Sequence, residues 1–156
     1  LTIGKEVRLK SAYIICANNA ICDDSQNIKE IHCTYDPKSK SGSGSVESQR
    51  KVKGTLHWVS SQHSVKAEIR EYDRLFTEPS PASAKTKEEL VSMLNKGSMN
   101  TLQGYAEPSL KNASPGNKYQ FQRKGYFVVD KESSTEKIIF NKTVGLRDNW
   151  TKKQNQ

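Results

Sequence analysis

The residues best suited to chemistry lie in one run, 119–130 (YQFQRKGYFVVD). It gathers Gln120 and Gln122, Arg123 and Lys124, and the rings of Tyr119 and Tyr126. A carboxamide both donates to and accepts from a base edge, while aromatic rings and guanidinium planes stack on unpaired bases. The chemistry on offer is therefore recognition of a single-stranded nucleic acid, not bond-making. Taken alone, the same residues also describe a solvated surface strand, since glutamine is mostly exposed in folded proteins.

Nothing elsewhere in the sequence supplies catalysis. There is no glycine-rich phosphate loop, nucleophile elbow, metalloprotease signature or carboxylate pair in a recognisable setting. His57 and His63 have no evident acid or nucleophile partner, which assigns them structural or surface roles. Cys16, Cys22 and Cys33 are odd in number and sit in strand-like apolar settings, so three reduced, half-buried cytosolic thiols are expected. Cys22, His32 and Cys33 are metal-ligand types, but the paired Cys-x-x-Cys spacing of a metal site is missing and no metal is expected. Asn112, Asn141 and Asn149 each open an Asn-x-Ser/Thr triplet, coincidental in a cytosolic protein.

The bulk numbers point the same way. Lysine and arginine total 25 against 17 acidic residues, a formal charge of +8 with a pI near 9.4, which favours an anionic partner. Nucleic acid comes first. A membrane surface comes second and is disfavoured, because the sequence has no strongly amphipathic basic helix and no apolar run long enough to span. Only 33% of residues are hydrophobic, so the core must be economical, as in small barrels whose strands bury one face. Leu1 stands where a Met would, with no charged-then-apolar leader after it; this reads as a piece of a longer chain and not as a secreted protein.

The elements that must hold these residues read mostly as strands. Val7 and Leu9 alternate with Arg8 and Lys10, giving a first strand with cations on its outer face. Residues 13–16 continue as a buried run, Asn18-Asn19 suits a tight turn, and residues 28–35 form the next strand, ended by Asp36-Pro37. Residues 38–49, rich in serine, glycine and lysine, read as a mobile loop. Residues 55–60 (TLHWVS) read as a dense strand with Trp58 in a packing role, and residues 65–70 as a half-exposed strand whose outer charges pair with neighbours.

The proline-rich stretch 78–81 is the best candidate for a domain boundary. Thr86 and Glu89 have capping-box spacing, and Leu90, Val91 and Leu94 form a stripe that predicts one short helix packed on a core. Residues 98–106 read as extended or irregular. In the focal run, Tyr119 and Phe121 face one way and Gln120 and Gln122 the other, with a bulge or bend expected at Gly125. Another strand follows at 137–140 and continues to 146, before a basic tail. Eight to ten short strands and one helix favour closed antiparallel barrels.

Seven blocks in order carry a resemblance: residues 6–8, 32–36 (HCTYD), 50–60 (RKVKGTLHWVS), 72–76 (YDRLF), 107–111 (EPSLK), 120–130 and 140–150 (FNKTVGLRDNW). Together they resemble the C-terminal anticodon-binding region of the glutaminyl-tRNA synthetase family. The resemblance implies an all-β fold of two antiparallel six-stranded barrels of the type seen in a ribosomal RNA-binding protein, the second incomplete in this chain. Residues 1–76 would form the distal barrel, and 77–156 the returning part of the proximal barrel with the basic tail.

By the same resemblance, Arg8 and Lys10 would contact the phosphate and base of the first anticodon nucleotide, with Ala12 beside its pocket. Gln120 would hydrogen-bond the central uracil and Arg123 would lie near the second and third bases. Arg147 and Asn149 would lie close to the central base. Two positions depart from the family pattern: Lys10 stands where it carries arginine, offering a point charge in place of a planar fork, and Asn149 stands where it carries threonine. The readers of the third base would lie upstream of Leu1.

The chain itself would be non-catalytic and hold no cofactor. An upstream catalytic domain of the same polypeptide, a class I ligase, would handle ATP with Mg, glutamine and the acceptor end. The resemblance implies glutamine-specific tRNA as the partner, the cytoplasm as the location and a monomer as the state. The alternatives are the matching region of a non-bacterial-type glutamyl-tRNA synthetase and a stand-alone structural RNA-binding barrel.

Overall fold

A computed structural model of the chain describes residues 1–146. Its elements in order are β1 (Glu6–Leu9), β2 (Ile14–Cys22), β3 (Ile28–Tyr35), α1 (Val46–Gln49), β4 (Thr55–Leu56), β5 (Val65–Tyr72), α2 (Lys87–Ser92), β6 (Met99–Ala106), β7 (Lys118–Phe121), β8 (Gly125–Val129) and β9 (Ile138–Val144). Short 3-10 turns occupy Pro37–Ser39, Pro81–Ser83 and Pro108–Asn112. The fold is mostly β, with a second short helix, α1, beside the one expected. It divides into two compact units, Leu1–Trp58 and Val59–Gln156.

The first unit is a four-stranded sheet in the order β3-β2-β1-β4. β1 pairs antiparallel with β2, and β4 adds parallel to β1 through Arg8 opposite Thr55 and Leu9 opposite Leu56. Three readings are corrected here. Asn18-Asn19 makes no turn: β2 runs straight through, and the register shift between Ala17 and Asn19 absorbs one residue as a bulge, with the Asn18 amide facing Thr34 Oγ1 at 3.4 Å. The dense strand expected over 55–60 is regular for two residues only, and Trp58 is half-exposed instead of packed away. Cys22 and Cys33 are exposed, so only Cys16 is a half-buried thiol.

The stretch expected to be a mobile loop is organised, because its serines supply hydrogen bonds that a composition count cannot show. Asp36 caps the turn Pro37–Ser39, and Ser45 caps α1 by accepting from the Ser48 N–H at 3.0 Å. Ser39 is fully buried; its hydroxyl accepts from the Ile14 N–H at 2.8 Å and donates to the Asp36 carbonyl at 2.7 Å.

The second unit is a five-stranded sheet in the order β6-β5-β9-β8-β7. β5 lies parallel to β9 and the other neighbours are antiparallel. The strand over 65–72, expected with the first barrel, pairs entirely within this sheet. Phe140, Phe127, Val129, Ile138, Ala67 and Ala106 form its core, with Tyr119 and Phe121 packed against them. In both units the described ladders run from edge to edge without joining, so each is an open sheet with one parallel pair.

α2 begins as the capping spacing predicts, Thr86 Oγ1 accepting from the Glu89 N–H at 3.1 Å. The Glu89 carboxylate takes the N–H of Lys85, one residue earlier than a capping box would have it. Its stripe is a correction as well: Leu90, Val91 and Leu94 are exposed by 39%, 54% and 39%, not buried in a core.

Candidate nucleic-acid interface

The focal run is a hairpin, not one bent strand. Phe121 pairs with Gly125 and brackets a tip of three residues, closed by the Lys124 N–H on the Phe121 carbonyl at 2.9 Å. Arg123 turns the chain from the left-handed region, at φ 67°, and Gly125 follows at φ 142°. A side chain at Gly125 would place its Cβ 2.5 Å from the Val144 carbonyl oxygen, so only glycine lets β9 approach here.

Alternation then sorts the side chains. Tyr119 sits edge-on to Phe140 at 6.0 Å between centroids, and Phe121 stacks on Phe127 at 4.5 Å. That face is core, and it claims one of the two tyrosines proposed as stackers. On the other face Gln120 stands opposite Tyr126, which stands opposite Val144, and all three are exposed. Gln122, Arg123 and Lys124 are exposed at the tip. The arrangement offers amides, one phenol ring and two cations on one edge of the sheet, the groups that read and stack on loosened bases.

Farther along the same face the charges neutralise one another. Asn141 lies between Val128 and Arg70 in one cross-strand row, accepts from Tyr72 OH at 2.9 Å and donates to the Asp130 carboxylate. Arg70 bridges Glu68 at 2.8 Å and Glu132 at 2.9 Å, and Lys137 adds a contact to Glu68 at 2.9 Å. Hydrogen bonds from Lys137 and then Arg70 hold the Glu68 carboxyl below its ordinary range. The Glu132 backbone N–H, followed by the Asn141 amide, does the same for Asp130. The outer charges of residues 65–70 pair with neighbours as expected, and this network anchors the face without enlarging its positive end.

A cleft of about 340 Å³ opens at Val144, lined by Tyr72, Asn100 and Lys142 among others. Lys142 is held there by Glu71 at 2.7 Å.

In the first unit, Arg8, Lys10 and Ala12 fall on β1 and the turn after it. The Arg8 guanidinium donates to the carbonyls of Ser39 (3.0 Å), Ser48 (2.8 Å) and Arg50 (3.2 Å) and to the Ser41 hydroxyl (3.3 Å). It ties down residues 37–50. The Ala12 carbonyl accepts from both the N–H and the hydroxyl of Ser41, at 2.8 Å each. The Lys10 carbonyl accepts from the Trp58 indole at 3.0 Å. The structure thus brings Arg8, Lys10 and Ala12 together in one unit and Gln120 and Arg123 together in the other. Arg147 and Asn149 lie outside the described residues.

Sequence reasoning missed Ser39, Ser41 and Trp58 as parts of the first group. The Asp36-Pro37 step, with Ser39 two residues on, was the available signal for the capped turn.

Residues 55–130 match the family model described as tRNA synthetases class I (E and Q), anti-codon binding domain. The chain is 48% identical over 153 residues to a glutamine-tRNA ligase of Cronobacter sakazakii, covering 97% of this chain and 27% of that protein. It is 48% identical over 157 residues to that of Vibrio parahaemolyticus, covering 100% and 27%. The ligase of Escherichia coli O1:K1 is 49% identical over 153 residues, again covering 97% and 27%. The chain spans about a quarter of the length of these relatives. Matched along its whole extent to ligases of one name, with the tip hairpin and its Gln120 inside the segment shared with the anticodon-binding model, the chain belongs to the anticodon-binding region of the glutamine-tRNA ligase family.

Proposed function

We propose that the chain reads the anticodon of glutamine-specific tRNA and performs no chemistry itself. One observation carries this reading: Gln120 stands exposed beside Tyr126 at the root of a hairpin whose tip bears Arg123 and Lys124. Its amide reads the central uracil edge, Tyr126 supplies a ring and the tip cations position phosphates. In the other unit Arg8 and Lys10 meet the phosphate and base of the first anticodon nucleotide, with Ala12 beside its pocket. Arg147 and Asn149 join the central-base pocket from the C-terminal segment.

The rest of the polypeptide, in this reading, is a class I catalytic domain that activates glutamine with ATP and Mg in the cytoplasm, and the whole acts as a monomer. The two sheets belong to two antiparallel six-stranded barrels, the second incomplete in this chain. Residues 1–76 form the distal barrel and 77–156 the returning part of the proximal one.

Titration of an RNA hairpin with a CUG loop tests the reading. Gln120→Ala weakens binding by about 1 to 3 kcal/mol, the scale of a lost base-edge contact, with an unchanged melting temperature because the side chain is exposed. Equal affinity of mutant and unchanged chain removes Gln120 as a reader. The family model spans both E and Q enzymes, so a glutamate specificity is the second reading. Preference for a CUC over a CUG loop would establish it.

A further inference from the structure

Trp58 is 49% exposed, and one edge of its ring is fixed by a hydrogen bond to the main chain. The Lys10 N–H donates to the Leu56 carbonyl at 2.9 Å, continuing the parallel ladder of β1 and β4. The Lys10 carbonyl next to it accepts from the Trp58 indole N–H at 3.0 Å, so a side chain supplies the bond as the regular strand ends. A hydrogen bond through the indole nitrogen lies in the ring plane and uses an edge, which leaves the π faces to other partners.

The unit that carries Trp58 holds more lysines and arginines than carboxylates. Ser41, which clamps the Ala12 carbonyl, follows the exposed Lys40, and exposed Lys51 and Lys53 lead into β4. A half-exposed aromatic ring on a basic domain is how single-stranded RNA is held without sequence-specific hydrogen bonds.

We propose that Trp58 is the stacking platform for the first anticodon base, holding its face while Lys10 and Ala12 meet its edge. The proposal rests on the anticodon-reading function above and adds a binding residue to it. It separates two tasks at one nucleotide: the backbone bond to Lys10 sets the ring, and the ring receives whichever base stands first in the loop. Stacking tolerates any base, so Trp58 contributes affinity and leaves the choice of base to its neighbours.

The test pairs two hairpins with the same CUG loop, one intact and one with an abasic first anticodon nucleotide. The unchanged chain binds the abasic hairpin about tenfold more weakly, the scale of one lost base-aromatic stack. Trp58→Ala loses the same factor on the intact hairpin and no longer distinguishes the two, whereas Trp58→Phe keeps most of the preference because it keeps a ring. A Trp150→Phe background isolates Trp58 fluorescence and needs no variant at position 58: the intact hairpin quenches it and the abasic one quenches it less. Equal binding of both hairpins by the unchanged chain, or an equal loss on both in Trp58→Ala, overturns the stacking role and leaves anticodon reading standing. Binding of neither hairpin removes the anticodon reading and this proposal with it.

Discussion

The guanidinium of Arg8 donates to the Ser48 carbonyl at 2.8 Å across forty positions of sequence. The same group reaches the carbonyls of Ser39 and Arg50, so one side chain on β1 gathers both ends of the segment that a composition reading would leave loose. A charged donor on partly buried carbonyls is stronger than a neutral pair, and its loss leaves the acceptors to find water. Arg8→Ala should therefore destabilise the first unit by about 2 kcal/mol and raise amide exchange across residues 39–50. Arg8→Lys should rescue little, because a point charge cannot serve acceptors spread over such a fork. A full-strength melt of Arg8→Ala with weakened RNA binding would show instead that the guanidinium acts on phosphate.

Gly125 makes a sharper prediction about the reading hairpin. At φ 142° its backbone is closed to most side chains, and a Cβ would strike the Val144 carbonyl. Backbone can relieve that contact only by moving β9 away from β8, so Gly125→Ala should cost about 2 to 4 kcal/mol in denaturant unfolding. Gly116 is the control: it also has positive φ, at 84°, but nothing lies within 4 Å of its would-be Cβ, so alanine there should cost about 1 kcal/mol. Equal costs at the two sites would mean that β9 is not held close by the glycine.

These two residues also show what was legible in the sequence. Alternation alone placed Gln120 outward and Tyr119 and Phe121 inward, because a period of two survives whatever a strand pairs with. The strand Ile28–Tyr35 was bounded correctly because proline at 37 cannot continue a ladder. The hairpin tip was not legible. Glycine drew attention as the bend, while the residue that turns the chain is Arg123, a type that enters the left-handed region only when the surrounding structure makes it. The fate of Arg8 was hidden for another reason: its partners are main-chain carbonyls thirty-one to forty-two residues away, and no residue type announces them. The exposure of Trp58 follows from where β4 stops pairing, which a local apolar pattern overstated.

The network on β5 predicts how the second unit responds to acid. Glu68 is 11% exposed at its side chain and receives Arg70 and Lys137. Its carboxyl lies below its ordinary value of 4.5, and that of Asp130 below 3.8, because each accepts hydrogen bonds that favour the charged form. The folded state thus binds these protons less readily than the unfolded chain does. Their contribution is complete above the unfolded values and is lost as pH falls through the lower folded ones. The melting temperature of the second unit should accordingly be flat near neutrality and drop below about pH 4.5. Glu68→Gln keeps the shape of the side chain but cannot ionise. It should melt lower than the unchanged chain at pH 7, follow a shallower slope in acid and converge with it at the lowest pH. Two curves that stay parallel through the acid range would show that the ion pairs to Arg70 and Lys137 do not favour the folded state.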